Sequence, residues 1–417
     1  MTRSVAAGRC GPKRGAEMRH AVALVLVALA GALAAGAEPI TIGERVKIQS
    51  KILGEERTLL ISTPANYERS GERYPVLYMT DGDAHLSHTR GTVDFLVRNG
   101  LMPDVLIVGV VNTNRTRDLA PTKVTRPAPD GAQPAAAIGG GSEAFLDFFE
   151  RELIPFVESC YRTQPYRLFA GHSLGGLLAL YALETRPKLF DAVIAASPAL
   201  NWDDDFILKK SAEFFKSRAA LPRTLFVTMA NEERDDPAPT RFQRLRVILD
   251  GAKEPGFVWD SRSMPEETHG TVVLRSHYWG LRKIFDGWQL PADANGAFTG
   301  SLSDIVQHYA GLSKRFRYTV VAPEQLVNQA GYQRLARNDV EGAVEVFRYN
   351  VELHPGSANP YDSLAEALGR AGRTEESLAS YEKAVTLARE TGDPLLAALT
   401  ANRDRALAAA KAKAGPR

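Results

Sequence analysis

The sequence predicts an α/β domain, a mostly parallel sheet flanked by helices, followed by a small all-α domain of helical repeats. Three observations lead there. Between about residues 40 and 289, short continuous apolar runs alternate with helix-like stretches, the pattern of strands covered on both faces by crossover helices. One such run passes directly into Gly171-His172-Ser173-Leu174-Gly175 and then an apolar helical stretch. Beyond residue 321 a thirty-four-residue period takes over.

Length and composition set the frame. The chain has 417 residues, 44% hydrophobic and 24% charged, enough for one large domain and a smaller one. A net charge of +2 argues against a nucleic-acid groove or a polybasic membrane surface. Basic residues (Arg14, Arg19, His20), an apolar stretch over 21–33 and the small residues Ala35-Gly36-Ala37 read as a secretory leader cut after Ala37, so a periplasmic or secreted protein is expected. Met18-Arg19-His20 also offers a compact start for such a leader. No later segment is long and apolar enough to span a bilayer.

Element by element, 46–53 and 58–63 read as two antiparallel edge strands. Residues 76–80, 105–111, 168–170, 193–196, 225–229 and 258–261 read as buried strands. Residues 122–141, with Pro127, Pro129, Pro134 and the run Gly139-Gly140-Gly141, read as a long loop able to act as a lid. The first domain is expected over 38–318. In 319–417, Ala343, Phe347 and Leu353 recur as Ser377, Tyr381 and Leu387. With Gly331 and Pro355, this spacing resembles tetratricopeptide repeats, either a packing appendage or a surface for a protein partner or self-association. A last helix is expected over 395–411.

The Gly171–Gly175 pattern is a nucleophile elbow. A serine hydroxyl is a weak nucleophile at neutral pH, so it needs a tight strand-to-helix turn where a base can reach it. In that arrangement an acid follows a later strand and a histidine comes last. Of eight histidines, His20 lies in the leader, and His172, beside Ser173, is expected to point away from the base. His85 and His88 precede the elbow, His277 lies within a helical stretch, and His308 and His354 fall in or near the repeats. His269 remains, in the polar loop 266–270.

The acid should follow the strand ending at Met229. Glu232 is nearest, Glu233 second and Asp235 third. Two backbone amides should hold an oxyanion: that of Leu174, directly after the nucleophile, and that of Asp83, in the Asp81-Gly82-Asp83 turn. The histidines lack paired ligand spacing and no glycine-rich phosphate loop is present, so neither metal nor cofactor is expected.

The segments Tyr74 to Asp83, Asn114 to Thr122, Gly171 to Gly176, Ser197-Pro198 and His269-Gly270, in this order, resemble the Putative esterase family of α/β-hydrolases over about residues 40–289. That family includes ferric-siderophore esterases of the enterobactin type, S-formylglutathione hydrolase, feruloyl esterases and mycolyltransferases. The Asp-Gly-Asp turn and the Arg-Asp-x-x-Pro-Thr segment are most similar to the siderophore-esterase-like branch. The resemblance implies an α/β-hydrolase fold and hydrolysis of a small-molecule carboxylic ester by Ser173, His269 and Glu232 or Glu233. It also makes Arg115 a candidate contact for anionic substrate groups, with loop bracing as the other reading left open for it, while Arg117 reads as a loop brace paired with Asp118. Trp202 reads as either an acyl-pocket wall or core. The tetratricopeptide-like tail and the long 123–141 loop depart from the minimal esterase. Two alternatives stand beside hydrolysis: acyl transfer on the same fold, and a repeat-based scaffold with an incidental hydrolase domain.

Overall fold

The computed structural model describes residues 3–4, 39–126, 136–216, 220–291, 298 and 300–414. Apart from Arg3–Ser4 the expected leader lies outside these residues, as does the middle of the 122–141 loop. The chain divides into two compact units, Met1–Gln289 and Leu290–Arg417. Leu302–Phe316 therefore groups with the helices, whereas the sequence places the boundary near residue 318, where the repeat period begins. A single helix preceding the first repeat carries no period to declare it.

The first unit is built on one sheet of strands β1 (Arg3–Ser4), β2 (Glu44–Ser50), β3 (Glu55–Ser62), β4 (Tyr74–Met79), β5 (Leu106–Val110), β8 (Thr163–His172), β9 (Ala192–Ala196), β10 (Thr224–Met229) and β11 (Val258–Ser263), in spatial order β1-β2-β3-β5-β4-β8-β9-β10-β11. A separate pair, β6 (Lys123–Arg126) and β7 (Ala136–Gly139), is antiparallel. From β5 to β11 every neighbouring pair is parallel, while β2 with β3 and β3 with β5 are antiparallel.

Burial follows the sequence pattern in the central strands, whereas 258–261, expected as a buried strand, is exposed or half-buried because it forms the sheet edge. Every residue of β4, β5, β9 and β10 is buried, as expected of strands with helices on both faces. β2 and β3 show partial alternation, and β11, at the far edge, has no buried residue. The β6–β7 pair corrects the reading of 122–141 as loop throughout: its ends pair as strands although its proline and glycine content reads as irregular.

The parallel arrangement brings the carboxyl ends of β4, β8, β9, β10 and β11 to one edge of the sheet. Loops leaving those ends carry Asp81, Ser173, Ser197, Glu232 and His269. Open α/β sheets place their ligand crevices at such an edge.

The second unit is all helical. Glu324–Ala336 and Val340–Leu353 form one antiparallel pair, Ala358–Arg370 and Thr374–Thr391 the next, each helix beginning thirty-four residues after its counterpart. Leu396–Ala414 follows. Gly331 is required by packing: a Cβ there would meet the Phe347 ring at 2.4 Å. The first pair and Leu364, Ala367 and Leu368 share one apolar cluster, and Ala358, Val385, Ala388 and Leu399 form a second.

Candidate active site

Ser173 sits at φ 60°, ψ −116°, a backbone region that side-chain-bearing residues adopt only when their surroundings hold them there. Its amide donates to the Ala196 carbonyl at 3.0 Å, and its carbonyl accepts from Leu177 and Ala199. Glycines make the turn feasible. A Cβ at Gly171 would lie 2.0 Å from the Gly175 carbonyl oxygen, and one at Gly175 would lie 2.3 Å from Thr80 Oγ1. The helix Leu174–Thr185 starts immediately after Ser173, so the Leu174 amide has no carbonyl one turn before it within the helix.

Asp83 lies in the first turn of a second helix, Gly82–Arg98, as its second residue, so its amide too has no carbonyl one turn before it within the helix. Gly82 packs backbone to backbone on β5, where an added Cβ would meet the Gly109 carbonyl carbon at 2.5 Å. The two helix starts are neighbours, since the Cβ position of Gly175 also lies 3.5 Å from Asp81 Oδ2. Free amides at helix N-termini favour negative charge.

Glu232 and His269 are brought together. His269 Nδ1 is bonded to Glu232 Oε1. A carboxylate only accepts, so Nδ1 carries a proton in this contact, and in the neutral ring that leaves the lone pair on Nε2. The other carboxylate oxygen accepts from Ser197 Oγ at 3.5 Å, and Ser197 Oγ in turn accepts from the Ala230 amide at 2.9 Å. Burial pushes the Glu232 carboxyl pKa up, but the His269 bond and other hydrogen bonds more than offset this and hold it below the usual carboxylate value. The two loops are also tied by Asn231 N–H donating to the Glu267 carbonyl at 3.1 Å and Arg234 donating to the Pro265 carbonyl at 2.9 Å. Of the other acid candidates, the side chains of Glu233 and Asp235 fall outside the described residues.

Ser173, Ser197, Asn231, Glu232, Arg234 and His269 all line one cavity of ≈ 780 Å³, within the size range of small-molecule sites. Trp202 is not among its lining residues: it is buried and its indole N–H donates to Thr122 Oγ1 at 3.0 Å. That position answers to the core reading of this residue. Arg115 donates to Asp81 and to the His172 carbonyl. Arg117 is a brace, bonded to Asp118 and Glu55.

His172 departs from expectation. Its ring packs against His269 with centroids 4.5 Å apart, although the strand-to-elbow alternation suggests it points away. On its other side it meets His85, which meets His88 and the buried His277, so five of the eight histidines form a continuous ladder. His85 and His88 bond through their rings at 3.1 Å, and Thr89 Oγ1 bonds His277 Nδ1 at 2.8 Å. Burial and neighbouring imidazoles lower His172 and His88 to about 4, so both rings are neutral at pH 7. The i, i+3 spacing of His85 and His88 was visible as one helix face; their meeting with His172 and His277 depends on tertiary packing.

Three comparisons bear on this arrangement. Residues 50–238 match the family model described as Putative esterase. The chain is 36% identical over 202 residues to the ferri-bacillibactin esterase BesA of Bacillus subtilis, covering 42% of this chain and 68% of that protein. It is 31% identical over 178 residues to the siderophore triacetylfusarinine C esterase of Aspergillus fumigatus, covering 40% of this chain and 59% of that one. A solved IroE-like serine hydrolase from Shewanella oneidensis aligns with a TM-score of 0.63 at 28% identity, over 74% of this chain and 99% of that one.

Proposed function

We propose that this chain, which belongs to the Putative esterase family of α/β-hydrolases, is a serine carboxylic-ester hydrolase whose nucleophile is Ser173. The observation that carries the reading is the constellation around one cavity: a strained serine at a helix start and an imidazole held by a carboxylate.

In the mechanism, Ser173 Oγ attacks the ester carbonyl carbon while His269 Nε2 takes its proton. Glu232 keeps His269 in the required tautomer and stabilises the imidazolium. The Leu174 and Asp83 amides receive the negative charge that develops on the carbonyl oxygen. Collapse expels the alcohol, which takes the proton from His269, and leaves an acyl-serine. Water, deprotonated by the same imidazole, releases the acid and restores Ser173. The Leu174 amide and the nucleophile belong to adjacent residues, so the oxyanion position follows from the elbow itself.

The substrate class proposed is a siderophore-like ester, on the strength of two relatives whose names carry that activity. Export to the periplasm or medium is proposed from the leader at 1–37. The second unit is proposed to consist of tetratricopeptide-like repeats, supported by the thirty-four-residue offset of its helices and by the Gly331–Phe347 fit.

The test is turnover of p-nitrophenyl esters of rising acyl length and of a ferric catecholate triester by the chain from Glu38 onward and by its Ser173→Ala variant. The expected outcome is a loss of about 10⁴–10⁶-fold in kcat on substitution, with the fold retained. Unchanged turnover in the variant overturns the assignment. Capture of the acyl group by an added alcohol in preference to water would redirect it to acyl transfer.

A further inference from the structure

Asp81 and Arg115 together join three segments that are distant in sequence, around residues 80–81, 112–115 and 172. Arg115 Nε donates to Oδ1 at 2.6 Å and Nη2 to Oδ2 at 3.2 Å. Asn112 Nδ2 donates to Oδ1 at 2.6 Å, and the Thr80 hydroxyl donates to Oδ2 at 3.2 Å. Nη2 of Arg115 also donates to the carbonyl of His172, the residue before the nucleophile, at 3.0 Å. One guanidinium therefore spans from the turn that begins the Gly82–Arg98 helix to the strand end that carries Ser173.

Asp81 itself stands at φ +54°, a left-handed conformation that costs free energy unless neighbours hold it. It is 8% exposed at its side chain, so its carboxylate needs these partners. Burial pushes its pKa up, and Arg115 and Asn112 more than offset that, keeping it below the usual carboxylate value. Gly175 packs against the same junction: a Cβ there would lie 2.3 Å from Thr80 Oγ1 and in van der Waals contact with Asp81 Oδ2 at 3.5 Å.

We propose that Asp81 and Arg115 are positioning residues that lock the Asp83 amide and the Leu174 amide into one oxyanion site, with Arg115 acting through Asp81 and the His172 carbonyl rather than on the substrate. The inference rests on the serine-esterase reading and replaces the role as an anion contact that the family resemblance implies for Arg115. Two physical arguments favour it. The Arg115–Asp81 pair is neutral overall, so it offers an anionic substrate little net charge. A planar guanidinium fork can satisfy a carboxylate and a carbonyl together, which an ammonium on a flexible stem cannot do with the same geometry. Donors aimed at a developing charge act only if held in place before the reaction, so loosening the junction reduces transition-state stabilisation more than substrate binding.

The test compares wild type, Arg115→Ala, Arg115→Lys, Asp81→Asn and the double variant Asp81→Asn/Arg115→Ala on a neutral ester, p-nitrophenyl acetate, and an anionic one, p-nitrophenyl succinate. Amide hydrogen exchange is followed over residues 80–84 and 172–175. The expected result is a fall in kcat of about 10²-fold for both esters with KM little changed. Arg115→Lys should give no rescue, the double variant should lose no more than the worse single one, and exchange should quicken in both segments. A rise in KM confined to the anionic ester, with kcat and exchange unchanged, overturns the proposal in favour of direct substrate contact. Should Arg115→Ala not fold, Arg115→Lys, which keeps the charge and loses the fork, decides the comparison. A wild-type chain inert towards both esters overturns the esterase reading and the oxyanion role with it, and the exchange data then decide separately whether Arg115 couples the two segments.

Discussion

At the scale of single residues, the carboxylate that orients His269 is where structure adds most. Four acids, Glu232, Glu233, Asp235 and Asp236, crowd the loop after β10, and proximity to the strand end ranks them only weakly. The contact made by Glu232 depends on Ser197, whose hydroxyl accepts from Ala230 and donates to Glu232. Ser197 belongs to a motif visible in sequence, yet nothing in sequence says that it faces this acid. Replacement of Glu232 by alanine is expected to lower kcat by about 10²–10⁴-fold, because the imidazole loses both its tautomer control and the charge that stabilises it as a cation. Replacement of Glu233 should leave kcat within about a few-fold of wild type. Steady-state kinetics of the two variants side by side checks this, and a larger loss for Glu233 would reverse the assignment of the acid.

His172 teaches the same lesson at that scale. Chain order sets it aside as a candidate base, but exclusion from one role does not say where a ring goes. Its ring neighbours, His269 and His85, come from two other segments, so only the fold reveals that it packs against His269.

At the scale of elements, the helix after the elbow carries a second buried acid that the proposed chemistry does not use. Glu184 is buried near its C-terminal end, accepts from Ser211 Oγ, and its other oxygen has no hydrogen-bond partner among the described residues. Burial, only partly opposed by Ser211 and Lys210, pushes its pKa up to about 8. Between the ordinary carboxyl range and about pH 8 the folded protein therefore keeps a proton that the unfolded chain releases, so this group makes stability fall as pH rises through that window. Glu184→Gln should remove that component: similar stability to wild type near pH 4, and greater stability near pH 8 by on the order of a few kcal/mol. Urea unfolding at the two pH values measures the difference, and identical pH slopes for the two proteins would show that Glu184 ionises normally.

The strands themselves were legible because their residues satisfy a local rule, continuous apolarity where both faces are covered. The β6–β7 pair was not, because a strand rich in small residues and flanked by glycine and proline has no periodic signal.

At the scale of the whole molecule, two units follow from two kinds of sequence pattern, an alternation of strands and helices and a thirty-four-residue period. Their dividing point, between Gln289 and Leu290, falls where the alternation ends and well before the first repeat begins. Within the helical unit the fit of Phe347 against Gly331 is the sharpest test of packing. Gly331→Val should destabilise this unit by about 1–3 kcal/mol, since the added carbons must displace an aromatic ring already in contact. Hydrogen exchange over Glu324–Ala336 and Val340–Leu353 should rise accordingly, and unchanged protection there would mean that the ring has room to move.

By itself, the sequence determined the fold class and located the elbow, and it singled out His269 as the candidate base, because each rests on spacing along one stretch of chain or on chain order. Tertiary structure alone decided that Glu232 contacts His269, that five histidines form a ladder, that Trp202 is core, and that Arg115 reaches Asp81 and the His172 carbonyl. Each of these is a meeting of side chains from different strand ends. Local propensities record which face a residue presents, whereas partners across a sheet edge are set by the order and register of the strands.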